Sequence, residues 1–97
     1  MKIRARGYLT FKEKINDQTL ELDLDSISLK DFLEKLCLEQ GDELRRILFD
    51  PQTEEVQRQI SLLVNGRHYT HLPDRLDTAL KDGDQVDIFP PIAGGDS

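Results

Sequence analysis

Apolar and polar residues alternate along the first quarter of the chain. Between Met1 and Phe11 the apolar residues stand at odd positions, at Ile3, Ala5, Leu9 and Phe11. After a polar turn around Asn16-Asp17 the same period of two returns at Leu20, Leu22 and Leu24. Because this period places alternate side chains on opposite faces of a strand, the two segments predict a hairpin. Its outward face would set basic residues against acidic ones, Lys2, Arg4 and Arg6 against Glu21, Asp23 and Asp25.

The next apolar residues change to a helical period. They recur three and four positions apart, at Leu29, Phe32, Leu33 and Leu36. Ser28 followed by Asp31 resembles a capping box, and Gly41 is a typical helix stop, so the main helix is predicted between them. A short helical segment is predicted from Asp42 to Phe49, and a polar surface loop from Asp50 to Gln59.

Strand patterns return in the second half. Ile60, Leu62 and Val64 restore the period of two, and Asn65-Gly66 predicts a two-residue hairpin turn into a short strand from Arg67 to Thr70. Short helical turns are predicted where leucines stand four apart, at Leu72, Leu76 and Leu80. A tight turn from Lys81 to Asp84 then leads into a last strand with Val86 and Ile88. These elements describe an α+β domain in which one mixed sheet of four to five strands packs on one main helix.

Composition narrows the class of protein. Ninety-seven residues form one domain, too small to enclose a deep pocket between two lobes. The net charge of -6 argues against a nucleic-acid partner. No apolar run reaches the roughly 18 residues of a membrane span, and the N-terminus lacks the apolar core of a signal peptide. With a single cysteine and no disulfide, we expect a cytoplasmic protein.

Residues that could support catalysis do not form a recognisable constellation. The sequence contains no nucleophile elbow and no glycine-rich phosphate loop. His68 and His71 lie three apart without a third ligand at a suitable spacing, so we expect structural or surface histidines and no metal. Cys37 stands at the edge of the helical stripe, where a thiol packs as a small apolar group. We therefore expect no active site within this chain.

The C-terminal segment has a different character. Two prolines, Pro90-Pro91, follow Phe89, and a chain with consecutive prolines must leave a hydrogen-bonded ladder. Ile92, Ala93, Gly94 and Gly95 come next, and the last three carry almost no side chain, so an enzyme could close around the backbone and reach the carbonyl carbon. If Val86 and Ile88 face the core, Phe89 faces the other side, which favours contact with a partner.

The sequence resembles a known family at this point. The stretch 62–67 (LLVNGR), the stretch 76–86 (LDTALKDGDQV) and the ending 88–95 (IFPPIAGG) are similar in order and spacing to the ubiquitin-like β-grasp sulfur carriers. Among these, the chain is most like the small subunit of molybdopterin synthase, the MoaD family. The related thiamine-pathway carrier, ThiS, shares the fold and the glycine pair but is usually shorter and lacks the Phe-Pro-Pro run.

The resemblance implies a function. It predicts a β-grasp domain over residues 1–91 and a flexible tail over 92–97 that ends in the carrier group. An E1-like adenylyltransferase would use ATP and a sulfur donor to convert the carboxyl of Gly95 into a thiocarboxylate, with Gly94 as its slender neighbour. The loaded tail would then enter the large subunit of molybdopterin synthase, which Phe89, Pro90, Pro91, Ile92 and Ala93 would contact. The carrier would bind no cofactor and perform no catalysis itself.

The chain departs from the family pattern after Gly95. Asp96-Ser97 follows where the family normally ends. Three explanations are open: a metallopeptidase or other peptidase removes the two residues, the chain has lost carrier activity, or the two residues are artefactual. We favour removal. Three other functions also stay open: a modifier joined to lysines, a carrier for the thiamine or cysteine pathway, and an inert β-grasp interaction module.

Overall fold

The first and last strands of the chain lie side by side at the centre of the sheet. In the computed structural model, which describes residues 1–15 and 17–90, β1 (Lys2–Gly7) runs parallel to β7 (Gln85–Phe89). β1 also pairs antiparallel with β2 (Gln18–Glu21). On the other side β7 pairs antiparallel with β4 (Ser61–Val64), which pairs with β5 (Arg67–His68). The five-stranded order is therefore β2-β1-β7-β4-β5.

The main helix, α2 (Leu29–Gln40), begins and ends at the residues predicted for it. The Ser28 Oγ accepts a hydrogen bond from the Asp31 backbone N–H at 3.1 Å, and the Gly41 N–H donates to the Cys37 carbonyl at 2.8 Å. These bonds satisfy backbone groups that have no partner inside the helix. The predicted short helix follows directly as α3 (Asp42–Leu48).

The core lies between the inner face of the sheet and α2. It contains the alternate residues of the central strands, with Ile3, Ala5, Leu62, Val86 and Ile88 all fully buried. The helix contributes its predicted stripe and one further residue, namely Leu29, Phe32, Leu33, Leu36 and Cys37. A mixed sheet of this order packed on one main helix confirms the predicted α+β class and the β-grasp architecture.

The first strand is shorter than predicted. The period of two places Leu9 and Phe11 in it, but the strand ends at Gly7 and Phe11 begins a helical turn, α1 (Phe11–Ile15). Gly7 makes this possible because a Cβ there would lie 2.4 Å from the Phe11 carbonyl oxygen. Phe11 is buried as expected, whereas Leu9 is 67% exposed.

The predicted charge pairing across the hairpin is confirmed only in part. Lys2 lies 3.8 Å from Glu21, but Arg4 and Arg6 both contact Asp17 in place of Asp23 and Asp25. β2 is only four residues long and ends at Glu21, so Asp23 and Asp25 fall beyond the paired strands. For the same reason Leu24 is 45% exposed.

The leucines spaced four apart do not form an α-helix. Two short 3-10 turns occupy Tyr69–His71 and Arg75–Asp77, and Leu80 lies in a strand, β6 (Ala79–Leu80). β6 pairs with β3 (Ile27–Ser28) in a small second sheet. The Asn65-Gly66 turn is confirmed, with φ of 53° and 87°. Residues 50–59 contain no helix or strand, apart from an isolated bridge between Phe49 and Val56.

Candidate functional site

The chain leaves the sheet at the end of β7, and the geometry there fixes where the C-terminal segment starts. Phe89 is still paired with Ser61 of β4, so the sheet extends to the last residue before the prolines. Pro90 has no N–H to continue the ladder and is itself buried. Pro90, from which the C-terminal segment continues, is therefore held against the domain.

The two faces of β7 differ in chemistry. Val86 and Ile88 are fully buried in the core, so the intervening Asp87 and Phe89 lie on the opposite face. Phe89 is half-buried on that face because the ring of Tyr8 stacks on it, with centroids 4.2 Å apart and planes within 7° of parallel. The Tyr8 N–H donates to the Ile88 carbonyl at 3.0 Å and so continues the β1–β7 pairing by one residue.

A carboxylate orients the tyrosine. Asp87 is only 8% exposed and accepts hydrogen bonds from the Tyr8 hydroxyl at 3.2 Å and from Gln85 Nε2 at 2.9 Å. Burial raises the pKa of Tyr8, and the negative charge of Asp87 raises it further. On the outer side the Arg6 guanidinium lies 5.3 Å from the centre of the Tyr8 ring. We call Arg6, Tyr8, Asp87 and Phe89 the aromatic platform.

Tyr8 is the residue that sequence reasoning missed. It follows the alternating segment of β1, and its partner stands at the other end of the chain. Only the parallel pairing of β1 with β7 brings the two rings together, and periodicity within one segment carries no information about that pairing.

Two of the seven residues predicted to carry the function, Phe89 and Pro90, belong to the part of the chain that the structure describes. Phe89 and Pro90 are described as above, but Pro91, Ile92, Ala93, Gly94 and Gly95 lie outside the described residues, as do Asp96 and Ser97. The division into a domain of residues 1–91 and a tail of 92–97 stays a prediction for the same reason.

The contacts of Cys37 and His68 are typical of structural residues. Cys37 is 3% exposed, and burial raises its pKa to about 11. His68 Nδ1 lies 2.8 Å from the Thr70 Oγ1 and its ring stacks on Tyr69.

Among residues 1–15 and 17–90, no group of three or more potential ligands could hold a metal ion. None of the helices in this part of the chain is both long and apolar enough to cross a membrane.

Comparison with known proteins decides the family. The sequence matches the ThiS family over residues 9–95. The chain belongs to the ThiS family. The matched region ends at Gly95, so the glycine pair belongs to the part that resembles the family and Asp96-Ser97 does not.

Similar proteins are named either as modifiers or as sulfur carriers. Small archaeal modifier protein 3 of Haloferax volcanii is 35% identical over 96 residues, covering 98% of this chain and 100% of the relative. A candidate sulfur carrier protein of Archaeoglobus fulgidus is 33% identical over 81 residues, covering 84% and 89%. The solution structure of small archaeal modifier protein 1 from Methanosarcina acetivorans has a TM-score of 0.77 at 26% identity, covering 97% and 96%.

These matches confirm the resemblance predicted from the sequence. The chain is a ubiquitin-like protein of the ThiS/MoaD type, a sulfur carrier or a modifier. They do not distinguish the molybdopterin branch from the other branches.

Proposed function

We propose that this protein carries sulfur as a thiocarboxylate on the carboxyl group of Gly95 and acts as the small subunit of a molybdopterin synthase. The family match supports the first half of this proposal, because it extends through the glycine pair. The Phe-Pro-Pro run at the end of β7 supports the second half, since it resembles the MoaD branch.

The observation that carries the proposal is the burial of the only thiol. A sulfur carrier without a reactive cysteine must hold sulfur elsewhere. Cys37 is the single cysteine of the chain, is 3% exposed, and has a pKa raised to about 11, so little of it is thiolate at neutral pH. A persulfide on Cys37 would have to form inside the core. The family match, which ends at Gly95, favours the carboxyl that Gly95 would expose after cleavage as the group that holds the sulfur.

The proposed reaction has two steps, both catalysed by an activating partner. The Gly95 carboxylate attacks the α-phosphate of ATP, which forms an acyl adenylate and releases pyrophosphate. Hydrosulfide supplied by a donor then attacks the acyl carbon, a C–S bond forms, the C–O bond to the phosphate breaks, and AMP leaves with that oxygen. Gly94 and Gly95 favour this chemistry because they lack the side chains that would keep an enzyme from the acyl carbon.

A cleavage must come first. Gly95 is joined to Asp96 by a peptide bond, and an amide carbonyl cannot be adenylated as a carboxylate can. We therefore include hydrolysis of the Gly95–Asp96 bond, by a metallopeptidase or another peptidase, in the proposal.

The aromatic platform and Pro90 would contact the partner proteins. Phe89 is half-buried under Tyr8 and lies at the point where the tail begins, so a partner that holds the tail would also meet this surface. Aromatic and arginine side chains are enriched at the centres of protein interfaces, and the platform contains both.

The test compares the complete chain with a version that ends at Gly95. Each is incubated with the activating enzyme, ATP and a sulfur donor, and its intact mass is measured. The shortened chain should gain the mass difference between sulfur and oxygen, and the complete chain should not. Equal loading of both would defeat the requirement for cleavage. A loaded chain that transfers its sulfur to a cyclic pyranopterin only when the large subunit is present would support the molybdopterin branch.

A second function, covalent modification of proteins, is favoured by the name of the Haloferax relative, small archaeal modifier protein 3. The same activated Gly95 would then be attacked by a lysine amine in place of sulfur. Cells that express a tagged chain ending at Gly95 should in that case contain high-mass adducts with isopeptide bonds. Absence of these adducts under conditions that yield thiocarboxylate would leave the carrier function alone.

A further inference from the structure

A groove opens beside Pro90, where the chain leaves the sheet. It has a volume of about 530 Å³, and its apolar lining residues are Phe11, Ile47, Ile60 and Pro90. Three neutral polar residues, Thr10, Gln57 and Gln59, line the rest together with two basic ones. Ile47 is 36% exposed there, although large apolar side chains are usually covered.

The charge of the groove is opposite to that of the whole chain. Its two charged lining residues, Lys14 and Arg46, are both basic, whereas the chain has 19 acidic and 13 basic residues. Lys14 already contacts Glu43 at 2.6 Å. Arg46 forms no ion pair within 4 Å of any residue that the structure describes, although its charge, after that of Lys14, helps to lower the pKa of Glu43. The groove therefore favours an extended apolar segment with a negative charge near one end.

We propose that this groove binds the chain's own segment 91–97. Pro90 forms part of the groove and is also the residue from which that segment starts. Seven residues can span up to about 23 Å, so reach is not limiting. Ile92 matches the apolar surface and Asp96 matches Arg46. The Gln59 side chain, and the side-chain oxygen of Gln57, whose Nε2 donates to the Phe49 carbonyl at 3.3 Å, can bond to backbone groups of the segment.

Docking in this way would hold the glycine pair against the domain and away from a partner. The segment is tethered, so even a weak contact is favoured by its high effective concentration. Removal of Asp96 would delete the charged contact and release the segment. The docking itself does not depend on the proposed function, because it concerns the free chain and needs no activating enzyme.

The experiment places a nitroxide spin label on the segment. Ser97→Cys is combined with Cys37→Ala, so that the label attaches at one site, and amide signals are recorded by NMR in the oxidised and reduced states. Signals of Arg46, Ile47 and Gln57 should lose intensity in the oxidised state. The signals of Asn65 and Gly66, which lie at the far end of β4 from Ile60, should keep their intensity.

A matched pair of charge reversals tests the role of Arg46. Arg46→Glu should abolish the selective loss, whereas Arg58→Glu, an exposed arginine outside the groove, should leave it intact. Raising the salt to 1 M, which shortens the Debye length to about 3 Å, should weaken it as well. Unchanged signal loss in Arg46→Glu, or loss spread evenly over the surface, would overturn the proposal. So would loss that appears only on mixing isotope-labelled and spin-labelled chains, since the occupant would then be a second copy.

Discussion

The ring of Tyr8 lies flat on the ring of Phe89, which joins the end of the first strand to the end of the last. This contact belongs to the outer face of the sheet, away from the core that α2 covers. It fixes the side chain next to Pro90, the last residue that the structure describes.

The stacked pair should contribute a measurable coupling energy. The double variant Tyr8→Ala/Phe89→Ala should lose less unfolding free energy than the two single variants lose when their losses are added. The difference should be about 0.5–1.5 kcal/mol. Urea unfolding of the four proteins in this cycle measures the coupling. Tyr8→Phe serves as the control, because it keeps the ring but loses the hydroxyl bond to Asp87. Additive effects of the two alanine changes would show that the rings do not stabilise each other.

Two leucines of α2 provide a matched test of the core. Leu33 is fully buried and Leu38 is 78% exposed, although both lie in the same helix. Leu33→Ala should cost about 2–5 kcal/mol of unfolding free energy because it leaves a cavity. Leu38→Ala should change it by less than about 0.5 kcal/mol. Similar losses at both positions in chemical denaturation would contradict the orientation of α2.

The buried thiol should make stability fall in alkaline solution. Burial raises the pKa of Cys37 from its ordinary 9.0 to about 11, so between these pH values the thiol ionises in the unfolded chain but stays protonated in the folded one. The unfolded state then binds fewer protons, and the unfolding free energy decreases as pH rises through this range. Cys37→Ala should show a smaller decrease than the natural chain from pH 9 to 11. Parallel curves would mean that the thiol ionises equally in both states.

The contact of Arg4 and Arg6 with Asp17 should matter at neutral pH and disappear in acid. A hydrogen bond from Arg4, and the charges of Arg4 and Arg6, lower the pKa of Asp17 below its ordinary 3.8. The stabilisation is therefore present above that value and is lost as pH falls through the lower, folded-state pKa. Asp17→Asn should be less stable than the natural chain at pH 7, and the difference should shrink on acidification.

A control variant separates this ion pair from a general loss of charge. Asp23→Asn removes an exposed carboxylate that forms no ion pair with the described residues, so its stability should equal that of the natural chain. A pH-independent effect of Asp17→Asn, or an equal effect of Asp23→Asn, would argue against the contact.

Local patterns predicted those parts of the fold that local chemistry determines. Ser28 and Gly41 are sufficient to place the ends of α2, and the Asn65-Gly66 pair is sufficient to place a hairpin turn, because each satisfies a backbone requirement within a few residues. The period of two failed at Phe11 because a buried residue at the start of a helical turn satisfies the same pattern as one in a strand. The close approach at Gly7 decides between them.

The candidate site depends on contacts between the two ends of the chain. Phe89 could be assigned to the outer face by alternation alone, but the stack with Tyr8 and the bond to Asp87 require the parallel pairing of β1 with β7. The groove beside Pro90 likewise combines α1, α3 and the segment before β4. No pattern within one segment predicts such a combination.

The central claim is that sulfur is carried by the Gly95 carboxyl, and fragmentation mass spectrometry of the loaded chain tests it most directly. The chain ending at Gly95 is loaded with the activating enzyme, ATP and a sulfur donor, alongside the same chain with Cys37→Ala. We predict that both gain one sulfur in place of one oxygen, and that this difference is confined to fragments that contain Gly95. Sulfur on fragments that contain Cys37, together with loss of loading in Cys37→Ala, would contradict the claim.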